Sequence, residues 1–361
     1  MIVKNITSIQ YFTEKFTTID PPFTYHVNYH PDAPEKDFES MPTFVGYFKN
    51  CLAHSLPFVI TEDKHLITNH VWPLLDKVRN KPQKTHSLWN AWGDAVDINT
   101  PAVTKSFSEE STYVWLPIDE HSAENPWHIW IDVISKFRLL SKQYDKPLKD
   151  YVFVLSNESG YFNRVVKELL PEIKYYVMPK NSTWRFKELI VPSMSNHHDG
   201  IIVPPLTEWL RETFGMGVSN PHRKIFVSRQ DALTRKLTNA GEVFVALKGW
   251  EIVTLSSMSI RDQIRTFASA SDIITTHGAG LTNLLWCQKG TKIFEIGLPE
   301  QISKKVYPIL SHCLELKHKL LLGKKISLSS AKIKPAGVKR LNDYADIEMD
   351  VKILLRAVEQ W

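Results

Sequence analysis

Cysteines and long apolar runs are both scarce in this sequence. Its three cysteines, Cys51, Cys287 and Cys313, are too few and too scattered for a disulfide framework or a zinc site. No apolar run approaches the roughly 20 residues that a membrane-spanning helix needs. The first residues also lack the apolar core of a signal peptide. These absences predict a cytoplasmic protein without a membrane span.

Several signatures of catalytic and metal sites are missing as well. The chain has no D-x-D sequence, which many sugar transferases use to hold a metal ion and a diphosphate, and no P-loop or G-x-S-x-G elbow. We therefore expect no bound metal ion.

The sequence also lacks a large excess of either positive or negative charge. The net charge is +5, from 44 basic and 39 acidic residues, a mild excess that does not indicate nucleic-acid binding. The densest basic stretch, residues 317–340, fits either a solvated face or attraction to an anionic membrane surface or a phosphate-bearing substrate. Peripheral association with a membrane is therefore one of our expectations.

What the chain does contain is ordinary globular composition. Apolar residues make up 43% and charged residues 23%, which excludes an intrinsically disordered chain. At roughly 150 residues per domain, the length of 361 residues predicts two or three domains.

The pattern of apolar residues changes near residue 125. Residues 1–125 are irregular and contain short β-like runs, whereas helices and strands alternate from Asn125 onward, where Asn caps a helix and Pro126 begins it. We predict that helix over 126–140, then strand 151–156, helix 162–170, strand 174–179, helix 206–214, strand 224–228, helix 240–248, strand 251–255, helix 260–270, strand 272–276, helix 280–287, strand 292–296 and helix 346–361. Such alternation is typical of α/β domains with parallel sheets, here two layers with a cleft between them.

Polar residues and glycines collect where the strands of the second half end. Arg229 and Arg235 follow one strand, His277-Gly278-Ala279-Gly280 follows another and opens into a helix, and Glu295 lies near the end of a third. Ligands of open α/β sheets bind at this edge. Glycines and a helix start suit a phosphate, arginines suit a diphosphate, and a carboxylate could accept ribose hydroxyls. Together they predict a site for a nucleoside diphosphate.

A second candidate pair lies on the helix that begins at Pro126. His128 and Asp132 are four residues apart and so share a helix face. The pair could provide a general base, either the carboxylate itself or the imidazole oriented by it. Spacing alone does not distinguish this function from a hydrogen bond that only orders the helix.

The same motifs give the chain a resemblance to glycosyltransferase family 61. The residues that carry it are a strand ending in Ser-Arg (228–229), R-x-x-x-N (235–239), S-D-I-I (271–274) at the place of the family's A-D-I-I, H-G-A-G-L-T-N (277–283), a strand with Glu295, and the upstream N-x-x-H-x-x-x-D helix (125–132). The resemblance covers residues 124–297. It does not cover residues 1–123, so nothing about the acceptor can be carried over.

The resemblance implies a two-domain GT-B fold, a nucleotide-sugar donor that is usually UDP-linked, and inversion at the anomeric carbon without a bound metal. The lack of a membrane anchor, rather than the resemblance, leads us to expect a glycan or a lipid-linked oligosaccharide as the acceptor. We expect two Rossmann-like domains that face a cleft: an N-terminal, acceptor-side α/β domain over 1–200 and a nucleotide-sugar-binding domain over 201–340. A C-terminal helix in 341–361 would return to the first domain. Implied catalytic residues are His128 and Asp132, and implied donor-site residues are Arg229, Arg235, Asn239, His277, Gly278, Ala279, Gly280, Leu281 and Glu295.

Two other functions are compatible with parts of the pattern. An NAD-dependent oxidoreductase would use Gly278, Gly280 and Glu295 as a dinucleotide fingerprint, but Asn283 occupies the position of the third glycine. A non-catalytic carbohydrate-binding protein could use some of the eleven tryptophans as stacking platforms. Such a protein would not need two arginines and a glycine turn at one sheet edge.

Overall fold

The structure is a computed structural model. It describes residues 2–5, 16–20, 24–27, 36–39, 43–56, 58–63, 65–67, 89–92, 95–98, 102–108, 110–118, 123–194, 202, 204–217, 220–302, 306–326 and 345–361. The chain divides into two compact units, Met1–Phe23 with Ser40–His198, and Thr24–Glu39 with Asp199–Trp361.

The protein is a mixed α/β protein, as the sequence predicts. Its strands are β1 (Ile2–Asn5), β2 (Phe16–Asp20), β3 (Thr24–Val27), β4 (Lys36–Glu39), β5 (Thr43–His54), β6 (Phe58–Ile60), β7 (His65–Ile67), β8 (Trp89–Trp92), β9 (Ala95–Ile98), β10 (Val103–Phe107), β11 (Thr112–Leu116), β12 (Tyr151–Leu155), β13 (Lys174–Val177), β14 (Thr183–Pro192), β15 (Arg223–Ser228), β16 (Glu251–Thr254), β17 (Ala270–Thr276), β18 (Lys292–Gly297), β19 (Lys317–Leu322), β20 (Lys324–Ile326) and β21 (Asp346–Glu348). Its α-helices are α1 (Pro126–His128), α2 (Ser135–Gln143), α3 (Gly160–Leu169), α4 (Pro204–Phe214), α5 (Ala240–Ala246), α6 (Ile260–Ala268), α7 (Val306–Cys313) and α8 (Val351–Glu359). Within the described ranges, no helix has both the length and the apolar character that crossing a bilayer requires.

The first unit is built on one large mixed sheet. Its strand order is β13-β12-β11-β14-β5-β6-β7-β1-β9-β8, with β10 also on β14 and β2 also on β5. The β13-β12-β11-β14 part is parallel and has the helices that the sequence predicts, whereas β5 and the strands beyond it introduce antiparallel pairs. The unit is therefore only partly the Rossmann-like domain that we expected.

The two longest strands of this sheet, β5 and β14, were not predicted from the pattern of apolar residues. Strand β5 lies within the stretch that we considered irregular, and it pairs antiparallel with β14 from Thr183 opposite His54 to Pro192 opposite Val45. Side chains of both strands, among them Cys51 and Phe186, pack with Trp115 of β11 in a fully buried core. Long-range pairing, rather than a strong local signal, determines these two strands.

The second unit contains an all-parallel sheet in the order β16-β15-β17-β18-β19. Helix α5 connects β15 to β16, and α6 connects β16 to β17. The predicted strands and helices between 224 and 276 are confirmed to within a few residues. Counted from β15, the order is 2-1-3-4-5, one of the two common doubly wound arrangements.

The segment after β17 forms a tighter helix than we predicted. Residues Ala279–Trp286 form a 3₁₀ helix instead of an α-helix over 280–287. The backbone bonds Leu281 N–H to Gly278 O and Cys287 N–H to Leu284 O have the i to i+3 spacing of that helix. The Asn283 amide donates to the carbonyl of Gly280, which an α-helix would use within its own ladder.

The C-terminal segment corrects one further expectation. Its first part is strand β21, which pairs with β20, so that helix α8 begins only after its cap Asp350. A backbone bridge between Leu237 and Ile347 also attaches the segment to the loop after β15. Side chains of α8, including Leu354, pack with Val243 of α5 in the core of the second unit; the return of the helix to the first domain stays a prediction.

Candidate functional site

The strand order of the second unit places two predicted segments side by side. From β15 the chain continues to β16 on one side, while β17 lies on the other, so the connections leave in opposite directions. Such a reversal opens a crevice at the carboxyl ends of the two strands, where α/β proteins bind ligands. Arg229 follows β15 and His277 follows β17, so both lie at this reversal.

Arg229 packs directly on the backbone of Gly278. A methyl group added to Gly278 would lie 2.7 Å from Cζ of the Arg229 guanidinium, too close for any other residue type to be accommodated without displacing the arginine. A side chain at this position would therefore displace the guanidinium, whereas the backbone itself does not call for glycine, since its φ of 162° is ordinary extended backbone. This contact explains why Gly278 belongs in the motif.

The half-buried Arg229 retains its positive charge at neutral pH. Burial and the nearby charge of Arg235 lower the pKa of Arg229 from 12.5 to about 10. In the described part of the chain its buried Nε has no hydrogen-bond partner. Two neighbouring guanidinium groups that are partly withdrawn from water would be stabilised by a doubly charged anion such as a diphosphate.

Arg235 has an unusual backbone conformation. Its φ is +58°, in the left-handed region that costs a non-glycine residue roughly 1–2 kcal/mol, and such residues cluster at functional sites. One guanidinium nitrogen of Arg235 donates to the backbone oxygen of His277, at 3.1 Å. Both arginines thus contact the His277–Gly278 segment.

His277 and Glu295 form a buried pair. The Nδ1 atom of His277 bonds to Oε1 of Glu295, and Nε2 of His318 lies 2.8 Å from Oε2 of the same carboxylate. Burial by itself would raise the pKa of Glu295, but the two imidazoles outweigh it and lower the pKa to about 2. Because both oxygens are bonded by imidazoles, the carboxylate holds His277 in this arrangement. The Glu295 side chain is only 4% exposed, so ribose hydroxyls have little access to it.

The remaining predicted donor-site residues contribute mainly to the framework. The Asn239 amide pairs with the backbone of Met349 in both directions, at 2.8 and 3.1 Å, and so ties the Arg235 loop to the C-terminal segment. Leu281 is 1% exposed and belongs to the core. Ala279 begins the 3₁₀ helix, and Gly280 lies against the Leu255 side chain.

The predicted pair His128 and Asp132 lies in the first unit. Nδ1 of His128 is 2.6 Å from Oδ2 of Asp132, and the imidazole is 39% exposed while the carboxylate is 15% exposed. Asn125 caps the helix, as the sequence predicts, by accepting a bond from Trp127 N–H. The cap and the pair confirm that both side chains lie on one helix face.

The turn that carries this pair is not an ordinary α-helix. Residues Ile129–Ile134 form a π-helical turn, a rare geometry that is frequent at functional sites. The wholly buried Lys136 donates from Nζ to the backbone oxygen of Asp132. Burial lowers the pKa of Lys136 to about 8, and the negative charge of Asp132 partly opposes that effect.

Three residues around these sites were not predicted. Tyr307 of α7 is buried with its ring 5.5 Å from that of His277, and His318 of β19 binds Glu295. Lys136 is the third. None belongs to a motif, because an isolated Tyr, His or Lys carries no signal until the fold places it.

These features define an α/β protein with a cationic crevice at a strand-order reversal, the arrangement typical of nucleotide-binding domains. Comparison with known proteins confirms the family resemblance: residues 126–294 match the model of glycosyltransferase 61. The matched segment includes Asp132, Arg229 and the H-G-A-G turn.

Two plant proteins are similar to parts of the chain. Beta-1,2-xylosyltransferase RCN11 of Oryza sativa subsp. japonica is 29% identical over 119 residues, which cover 28% of this chain and 22% of the relative. Beta-1,2-xylosyltransferase of Arabidopsis thaliana is 27% identical over 222 residues, which cover 50% of this chain and 39% of the relative. The chain therefore matches less than half the length of each.

Proposed function

We propose that this protein is an inverting glycosyltransferase. It transfers a sugar from a UDP-linked donor to a hydroxyl group of a glycan or a lipid-linked oligosaccharide, by single displacement and without a bound metal. The contact of Arg229 with Gly278, beside Arg235 at the strand-order reversal, is the observation that supports the proposal most strongly. A GT-B layout, a cytoplasmic location and peripheral membrane association are part of the proposal and rest on the sequence and the resemblance.

The departing diphosphate requires positive charge in this reaction. Arg229 and Arg235 supply it, and backbone N–H groups at the start of the 3₁₀ helix add donors. In the absence of a metal ion these groups would carry the whole leaving-group charge.

The acceptor hydroxyl requires a base, which we assign to the His128–Asp132 pair. With Nδ1 of His128 held by the carboxylate, a neutral imidazole keeps its lone pair on Nε2, the geometry of an oriented base. Asp132 could also remove the proton itself, and the variants described in the Discussion distinguish the two roles.

Asn239 and Glu295 are assigned supporting functions in this proposal. Asn239 fixes the loop that carries Arg235, because its amide is bonded to Met349. Glu295 orients His277, because its oxygens are bonded to two imidazoles.

The two similar plant proteins are named as xylosyltransferases. UDP-xylose is therefore the first donor to test.

The experiment that tests the proposal measures thermal stability in the presence of UDP, GDP, CMP or NAD⁺, with and without EDTA. A ligand at a hundred times its Kd stabilises a fold by about 2.7 kcal/mol. We expect stabilisation by UDP that EDTA does not change. A response to GDP or CMP alone would change the donor, and an effect that requires Mn²⁺ would contradict the metal-free mechanism.

The two alternative functions give different results in the same experiment. An oxidoreductase would respond to NAD⁺, but Asn283 of the H-G-A-G-L-T-N turn is buried, with its amide bonded to Gln263 and Gly280. A carbohydrate-binding protein would respond to no nucleotide. Of the eight tryptophans whose side chains the structure describes, five are buried and three are half-buried, which does not favour stacking platforms.

Gly278→Ala is expected to weaken UDP binding by displacing Arg229. Forcing a methyl group into filled space usually costs about 1–3 kcal/mol, and here the group that must move is the guanidinium. Calorimetric titration with UDP would measure the loss. In an Arg229→Ala background the same substitution should cost little more, because the two side chains share one interaction.

The matched control for this variant is Gly241→Ala. Gly241 belongs to helix α5 of the same unit, and an added methyl group there meets no atom within 4 Å. Its UDP affinity should equal that of the unmodified protein. Equal affinity of Gly278→Ala and Gly241→Ala would show that the contact of Arg229 with Gly278 does not serve nucleotide binding.

A further inference from the structure

Glu295 of the second unit is more completely buried than a carboxylate that accepts ribose hydroxyls needs to be. Glu295 is bonded on both oxygens by imidazoles, and its side chain and that of His318 are each 4% exposed. Nδ1 of His318 lies in turn 2.7 Å from Oγ of Ser311 on α7. The result is a continuous chain of hydrogen bonds from Ser311 through His318 and Glu295 to His277.

The sheet register explains how this chain forms. Glu295 of β18 lies opposite Thr275 of β17 on one side and Leu320 of β19 on the other. His277 lies two residues beyond Thr275, and His318 lies two residues before Leu320. Residues two apart along a strand share a face, so one face of three adjacent strands carries the three groups in a row.

The direction of the hydrogen bonds follows from the charge of Glu295. A carboxylate whose pKa is about 2 is ionised at neutral pH and only accepts hydrogen bonds. Both ring nitrogens that face it must therefore carry hydrogen: Nδ1 of His277 and Nε2 of His318. A neutral His277 is then held in the tautomer whose lone pair is on Nε2, while a neutral His318 accepts at Nδ1 from the Ser311 hydroxyl.

We propose that His318 is a positioning residue for the nucleotide site: it holds the second oxygen of Glu295, and the carboxylate in turn fixes the ring orientation and tautomer of His277. This inference rests on the proposed nucleotide-binding function of the second unit. His318 lies outside both the resemblance and the matched segment 126–294. His277 in turn joins this chain to the arginines, because its backbone oxygen accepts from Arg235.

The test compares three variants in the full-length chain. His318→Leu removes the donor to Glu295, His318→Gln keeps an N–H donor, and His312→Leu is the control, since His312 is an exposed residue of the same helix as Ser311. Two quantities are measured for each: the ¹⁵N chemical shifts of the His277 ring, which report its tautomer, and the affinity for UDP.

We expect the Leu variant to show a mixture of His277 tautomers and about a tenfold weaker UDP affinity, equivalent to about 1.4 kcal/mol. The Gln variant should restore both, and the His312 variant should change neither. A Leu variant with lower thermal stability but unchanged tautomer and affinity would overturn the proposal, because His318 would then be only structural.

A second variant and a measurement without nucleotide keep the proposal testable if the Leu variant does not fold or if no nucleotide binds. If the Leu variant does not fold, Ser311→Ala removes the bond to Nδ1 of His318 and should shift the same two signals less strongly; no shift in Ser311→Ala would then overturn the proposal. If the unmodified protein binds none of the nucleotides tested, the proposed function fails. The His277 tautomer is measured without nucleotide, so it still decides whether His318 positions that ring.

Discussion

Asp132→Asn is expected to abolish sugar transfer and to leave donor binding intact. A positioned general base contributes about 10²- to 10⁴-fold to a reaction rate, and the amide can neither remove a proton nor hold His128 Nδ1–H as a carboxylate does. The residues proposed to bind the donor belong to the second unit, so UDP affinity should be unchanged. Initial rates with UDP-xylose or the donor found in the screen, together with UDP titration, measure both effects.

His128→Gln tells which member of the pair takes the proton. If the imidazole is the base, His128→Gln and Asp132→Asn fall to similar rates; if the carboxylate is the base, His128→Gln keeps much of the activity. Asp145→Asn, at an exposed position of the same unit, is the control and should transfer at the original rate. Substantial transfer by Asp132→Asn would place the base elsewhere in the chain.

Arg229→Ala is expected to lower kcat/KM by about 10²- to 10³-fold, the effect of removing one preorganised donor to developing charge. The guanidinium is half-buried and lies against Gly278, so water replaces it poorly. Since its pKa is about 10, the positive charge is fully present at neutral pH and is lost only as the pH rises through that value. Steady-state kinetics at pH 7 and pH 8 should therefore give the same fold-loss.

Arg229→Lys and Arg356→Ala provide the comparison. Lysine keeps the charge but lacks the planar fork of donors, so it should recover only part of the rate. Arg356 is an exposed residue of helix α8 and its substitution should have no effect. A turnover of Arg229→Ala close to that of Arg356→Ala would remove Arg229 from the mechanism.

Much of the candidate site could be predicted because its parts are local. Arg229, Gly278 and Glu295 each follow or end a strand whose apolar residues are visible in the sequence, and parallel strands align their carboxyl ends. The His128–Asp132 contact could be predicted for the same reason, since helical spacing alone brings the two side chains together. His318 and Tyr307 could not, because only the order of strands and the packing of α7 place them beside His277.

Where a secondary structure predicted from local sequence was wrong, the cause is a competing side-chain hydrogen bond or pairing with a distant strand. The 3₁₀ helix at Ala279–Trp286 replaces the predicted α-helix where the Asn283 amide takes the carbonyl of Gly280. Residues 346–348 form strand β21 instead of the first turn of the predicted helix, because they pair with β20 and Ile347 bridges to Leu237. Strand β5 had no strong alternation of its own and is determined by its pairing with β14.

The sequence by itself determined the α/β class, the elements from 223 to 276, strand β18, the helix cap at Asn125 and the residue types available for a diphosphate. Periodicity, capping and turn preferences act over a few residues, so they are readable without a fold. Tertiary structure alone decided the strand order that brings Arg229 onto Gly278 and the enclosure of Glu295 by two histidines. These two features depend on contacts between residues far apart in the chain, whose free energy is gained only when the whole sheet assembles.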